Sequence, residues 1–134
     1  MKQLYEKLGL TNETVAAVVN PPDDYFTVLG GTVGMQKEYP SLSAGRFDLI
    51  HLYVNNKEEL ETLLKESVYS VSPWGMVWVS WQKKDKYAKT DVNEEMIKKV
   101  AQPLGLMDVK VSDVDETWLA LKLVFRRKGG TSLF

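Results

Sequence analysis

The sequence predicts an α/β domain: a mixed sheet covered by helices on both faces, with parallel strands at its centre and an antiparallel hairpin at its end. Three observations carry the prediction. The early apolar runs Thr14 to Asn20 and Phe47 to Val54 are rich in β-branched residues and hardly alternate, which suits strands buried on both faces. Segments with helical spacing separate the strand-like runs, as parallel neighbours require. The last two strand-like segments alternate apolar and polar residues and are joined by the short turn Asp113-Val114-Asp115-Glu116.

Each element has its local reason. Leu4 and Leu8 stand one helical turn apart and Gly9 follows, so residues 2–8 form a short amphipathic helix. The first strand, Thr14 to Asn20, breaks at Asn20-Pro21-Pro22. Asp23 to Leu29 reads as a helix, with proline suited to its first turn and Gly30-Gly31 at its end. Thr32 to Gln36 is a second strand, and Lys37 to Gly45, with Pro40, Ser41, Ser43 and Gly45, is a loop. Phe47 to Val54 follows, interrupted only by Asp48 and His51. Asn56 then caps a helix, with Glu59 placed as in a capping box. Leu60, Leu63, Leu64, Val68 and Val71 form its apolar stripe, and Pro73-Trp74-Gly75 closes it.

Met76 to Trp81 is the next strand and Gln82 to Lys89 a polar loop. Asp91, with Glu94, caps another helix whose face is Val92, Met96, Ile97 and Val100, ended by Pro103 and Gly105. Met107 to Ser112 and Thr117 to Arg126 form the closing hairpin. Residues 1–128 make one domain, and residues 129–134 a flexible tail.

Composition narrows the function. The 134 residues are 44% hydrophobic and 26% charged, values of a globular domain. Seventeen basic against 18 acidic residues lack the basic excess of a general nucleic-acid binder. With no cysteine and only His51, disulfides, thiolate sites and multi-histidine metal sites are excluded. No apolar run is long enough to span a membrane, and MKQLYEKLGL does not read as a signal peptide. A cytoplasmic protein without a bound cofactor is expected.

Two resemblances follow from particular motifs. Phe47-Asp48-Leu49-Ile50 opening a strand, a helix, then Ser72-Pro73-Trp74-Gly75-Met76-Val77-Trp78-Val79 and a terminal hairpin resemble the centre and end of class I S-adenosylmethionine-dependent methyltransferases. The likeness runs from Thr14 to about Arg126 and implies a three-layer Rossmann-like fold. A closer resemblance covers almost the whole chain. Lys7-Leu8-Gly9, Asn20-Pro21-Pro22, Trp78-Val79-Ser80-Trp81 with Lys83-Lys84, Thr90-Asp91, Asp108-x-Lys110-Val111 and Asp115-Glu116-Thr117-Trp118-x-x-Leu121 are similar to a family of small bacterial proteins catalogued as a domain of unknown function. That family shows a proline where Gln82 stands here, and it implies a fold but no activity.

The methyltransferase resemblance makes the first strand's exit turn decisive. In such folds ligands bind beyond the carboxyl ends of the strands, on a glycine-rich turn that exposes backbone N–H groups. Here the turn is Asn20-Pro21-Pro22-Asp23-Asp24: no glycine, two prolines without N–H groups, and two acids where an anion would sit. The expectation is a degenerate cofactor loop and a non-catalytic module that binds a small anionic ligand or a protein. The length also counts against catalysis, because a catalytic fold of this type usually carries an extra strand and lid segments. The alternative is an active methyltransferase with an atypical loop. Glu38 supports it weakly, following Asn20 at roughly the 20-residue spacing of a ribose-binding acid, though a solvated glutamate is the favoured reading.

Any small-molecule site is expected between Asn20, Pro21 and Pro22 on one side and Trp81, Lys83 and Lys84 on the other. The lysines, with Lys86 and Lys89, would hold an anion and Trp81 would stack on it. The simpler reading of these lysines is a solvated loop. Asp113, Asp115 and Glu116 lack calcium-loop spacing and read as turn chemistry. Leu119, Leu121, Leu123 and Phe125 make the core face of the last strand, opposite Trp118, Ala120, Lys122 and Val124. His51, between Ile50 and Leu52, reads as a buried, hydrogen-bonded neutral histidine.

Overall fold

A computed structural model describes residues 3–30, the backbone of 35–38, and residues 46–84 and 90–126. Its elements follow the expected order. They are α1 (Leu4–Leu8), β1 (Val15–Val19), α2 (Tyr25–Leu29), β2 (Met35–Glu38), β3 (Phe47–Tyr53), α3 (Lys57–Ser70), β4 (Val71–Gln82), α4 (Glu94–Ala101), a 3-10 turn (Gln102–Leu104), β5 (Leu106–Asp113) and β6 (Trp118–Phe125). The strands form one six-stranded sheet in the order β2-β1-β3-β4-β6-β5. The first four are mutually parallel, and β6 runs antiparallel to both β4 and β5. The continuous apolar runs are thus central and the alternating pair lies to one side.

Two cores sandwich the sheet. On one face α3 and α4 bury Leu60, Leu64 and Ile97 against Ile50, Val77 and Leu121. On the other α1 and α2 bury Leu4, Leu8, Tyr25 and Leu29 against Val18, Leu49 and Trp78. The last strand divides as its alternation requires: Leu121 and Leu123 belong to the α3/α4 face, Ala120 to the α1/α2 face.

Four boundaries differ from the expectation, each for a local reason. Pro73-Trp74-Gly75 does not close α3, which ends at Ser70; it lies inside β4. There the ladder to β3 slips, from Phe47 opposite Val71 to Leu49 opposite Met76. The slip accommodates a residue without an N–H, as bulges do. Gly75 is required because a β-carbon would stand 2.6 Å from the Asp48 carbonyl oxygen.

The cap of α4 is Asn93, whose Oδ1 accepts from Met96 N at 2.9 Å, and not Asp91. Val92 and Ile97 flank that cap and are both buried, as in a hydrophobic staple. Helix α2 begins at Tyr25, whose N–H donates to the Pro22 carbonyl at 3.0 Å, so Asp23 and Asp24 precede it. Strand β2, Met35–Glu38, runs on past the expected end at Gln36, while Thr32 to Gly34 lie outside the described residues. Residues 39–45, 85–89 and 127–134 lie outside the described residues, and with them most of the expected loop, Lys86, Lys89 and the tail. No described helix is long and apolar enough to cross a membrane.

Candidate functional site

The strand order reverses beside β1: β2 lies on one side of it and β3 on the other. A crevice forms at such a point, beyond the carboxyl ends of the strands. Here it is a shallow cleft of about 380 Å³ lined by Asn20, Asn56, Glu58, Glu59, Thr62 and Leu63. Asn20 ends β1 in the left-handed region, φ 58°, which an Asn tolerates better than most side chains. That conformation turns the chain sharply into Pro21 and Pro22, both half-buried. Across the cleft α3 starts with Asn56 Oδ1 accepting from Glu59 N at 2.8 Å. The Glu59 carboxylate accepts from Asn55 N at 2.8 Å, one residue earlier than a capping box would place it. One orphan donor of the helix, the Glu59 N–H, is therefore satisfied internally, and Glu58 and Glu59 stand in its first turn.

The two halves of the expected site do not meet. β3 separates β1 from β4, so Asn20 and Trp81 are divided by about two strand spacings, ~10 Å. Trp81 is only 6% exposed and packs into the α3/α4 core, so it offers no stacking face. Its position shares the face of Val77 and Val79, which strand alternation dictates. Lys83 is held by the hairpin: its N–H donates to the Thr117 carbonyl at 2.8 Å and its Nζ pairs with Asp113 at 2.8 Å. That lysine holds the Asp113 carboxyl below its usual range. Lys84 is exposed. Glu38 stands at the carboxyl end of β2, its backbone beside Val18 of β1. Asp115 serves the turn, accepting from Thr117 N and Trp118 N at 2.8 and 2.9 Å.

Below the turn on the α1/α2 face lies a hydrogen-bonded chain that sequence reading found only at its middle. Tyr25 Oη meets His51 Nδ1 at 3.1 Å, and His51 Nε2 meets Ser80 Oγ at 2.6 Å. A neutral imidazole has one donor and one acceptor, and each hydroxyl takes either role, so both nitrogens are satisfied in either tautomer. All three residues are buried. Burial pushes His51 down to about 3, well below the ordinary histidine range. Burial likewise raises the Tyr25 and Tyr53 hydroxyls above the usual tyrosine range, with Tyr25, Asp115 and Asp24 adding to the effect on Tyr53.

A serine hydrogen-bonded to a histidine is the contact of an activated nucleophile. Here no substrate reaches it, because Ser80 sits in a central strand at 0% exposure. Tyr25, Tyr53 and His51 pack edge-on or tilted around one another, and Trp118 closes against Tyr53 at 4.8 Å between ring centroids. One signal for the chain was present in the sequence: Ser80 is the polar residue in an otherwise apolar run from Met76 to Trp81.

Solved structures share the fold. The chain superposes on magnesium protoporphyrin IX methyltransferase from Synechocystis with bound SAH, at TM-score 0.60 and 9% identity, covering 92% of this chain and 78% of that one. The fold is methyltransferase-like. The mitomycin 7-O-methyltransferase matches at TM-score 0.63 and 8% identity, over 92% of this chain and 53% of that one, so the domain spans about half of that enzyme. A chain described as a pericyclic reaction enzyme matches at TM-score 0.58 and 7% identity, over 93% of this chain and 47% of that one. At these identities the likeness is one of fold. No protein-family model matches the chain, and no curated protein matches it.

Proposed function

We propose that this methyltransferase-like domain is a non-catalytic binding module, taking a small ligand or a protein partner rather than transferring a methyl group. One observation carries the reading. At the switch point of the sheet the turn after β1 presents Pro21 and Pro22, which have no N–H to offer, and the cleft beside it is lined by Glu58 and Glu59, with no cation or aromatic ring among its described lining residues. A cofactor carboxylate would meet like charge there and no donor array. The chain's single histidine, His51, is sealed beneath α2 with both nitrogens hydrogen-bonded and is no free base. The same reading extends to a cytoplasmic protein of the small bacterial family whose motifs the sequence resembles.

A second reading has one observation in its favour. Glu38 at the carboxyl end of β2 stands where an acid meets ribose hydroxyls in cofactor-binding folds, which is the placement an atypical methyltransferase needs.

Isothermal titration separates the two. The binding-module reading expects no heat from S-adenosylmethionine or S-adenosylhomocysteine at physiological concentration. A dissociation constant in the tens of micromolar or tighter, about −6 kcal/mol, together with loss of that binding in Glu38→Ala, would overturn the degenerate cofactor loop and favour the methyltransferase reading instead.

A further inference from the structure

A cavity larger than the β1–β3 cleft lies away from the strand ends. It is a groove of about 630 Å³ between α3 and α4, on the outer surface of the helical layer. Its volume lies within the range of small-molecule sites. Met96, Val100, Pro103 and Leu104 supply an apolar wall from α4 and the turn after it. Met96, Val100 and Leu104 pack on the buried core beneath, so the wall is fixed.

The charges around it come from both helices. On α3, Lys57, Glu61 and Lys65 follow one another at four-residue intervals, and α4 contributes Glu95 and Lys99. None of these five makes a salt bridge among the described residues, whereas Lys98, one position from Lys99, is paired with both Glu94 and Asp108. The rim therefore carries three uncommitted ammonium groups against two carboxylates. That leaves one net positive charge over an apolar wall. A single anionic group with an aliphatic tail complements it, whereas a dianion would add repulsion from Glu61 and Glu95.

We infer that the α3–α4 groove binds an amphipathic monoanion, such as a medium-chain carboxylate. The tail lies along Met96, Val100 and Leu104, and the headgroup meets Lys65 and Lys99. This deepens the binding-module reading by naming a ligand class, at a site distinct from the β1–β3 cleft.

The test uses decanoate, decanol and decyltrimethylammonium, each titrated into the full chain below its aggregation limit. Decanoate is expected to bind at least tenfold more tightly than the cation. Amide shifts on titration should concentrate in residues 57–65 and 93–104 and spare Asn20 and its turn. Lys65→Gln with Lys99→Gln should weaken decanoate at least tenfold and leave decanol unchanged, without altering the melting temperature, because both side chains are exposed. The inference is overturned if decanoate does not bind, if the cation binds as tightly, or if the shifts lie elsewhere. Unchanged decanoate binding by the double variant overturns it too. Should that variant fail to fold, the shift map of the native chain decides alone. A negative result here with no S-adenosylmethionine binding removes the ligand class and leaves the non-catalytic reading standing. S-adenosylmethionine binding removes the degenerate-loop argument for that reading whatever decanoate does.

Discussion

Under α3 and α4 the sheet presents Ile50, Leu52, Val77, Val79, Leu121 and Leu123, while under α1 and α2 it presents His51, Tyr53, Trp78 and Ser80. The covering helices differ in the same sense. α3 has 14 residues and α4 eight, whereas α1 and α2 have five each. A long helix turns a full apolar stripe to the sheet and is held chiefly by buried area, which is non-directional. A five-residue helix has two or three inward side chains and little area to give. It is fixed instead by directed contacts: Trp78 Nε1 donates to the Leu8 carbonyl at 3.0 Å, and Tyr25 reaches His51. The comparison teaches that the polar chain on the α1/α2 face compensates for short helices, and that its buried serine and histidine need no catalytic purpose.

The largest expected effect lies on the aliphatic face. Leu64, at 0% exposure on α3, should cost about 2–5 kcal/mol on replacement by alanine, read as a shift of the urea midpoint. A smaller loss would mean that the α3 face is less tightly packed than its burial indicates.

On the other face, Ser80→Ala leaves His51 Nε2 buried without a partner and should cost about 1–3 kcal/mol. The combination of Ser80→Ala with His51→Leu should cost less than the sum of the single changes, since it removes both ends of the bond. Strict additivity would break the claim that the chain acts as a unit.

The same chain sets a pH dependence. His51 has a folded-state value of about 3 and an unfolded value near 6.5, so between those pH values the unfolded state binds more protons. Its contribution is complete above pH ~6.5 and is lost as pH falls towards 3, with a slope of up to about 1.4 kcal/mol per pH unit. Urea melts between pH 7 and 4 should show that slope in the native chain and its loss in His51→Leu. A native profile flat over this range would sink the account of a neutral, sealed imidazole.

The smallest effect sharpens the comparison at a helix end. Asn93→Ala removes the cap of α4 and should cost about 1 kcal/mol, while Asp91→Ala should cost nothing measurable by the same melts. The reverse result would restore Asp91 as the cap.

Element order, the central parallel strands and the terminal hairpin were all legible in the sequence, because each rests on local periodicity and on punctuation by Gly, Pro and Asn. The single histidine's buried, neutral state was legible for a similar reason: it stands between Ile50 and Leu52 in a run with no exposed face. What surrounds a side chain was not. Trp81 and Lys83 read as a platform and a charge at one edge, yet alternation sends the indole into the core, and a hairpin 30 residues further along the chain supplies Asp113 to the lysine. Pro73-Trp74-Gly75 reads as a stop until β3 is placed beside it and the bulge gives the proline a position. The partners of His51 come from α2 and β4, and the α3–α4 groove depends on how two helices lie over a shared core. Hydrophobic period is a property of neighbours in the chain, whereas burial, pairing and cavities belong to neighbours in space, which only the packed sheet brought together.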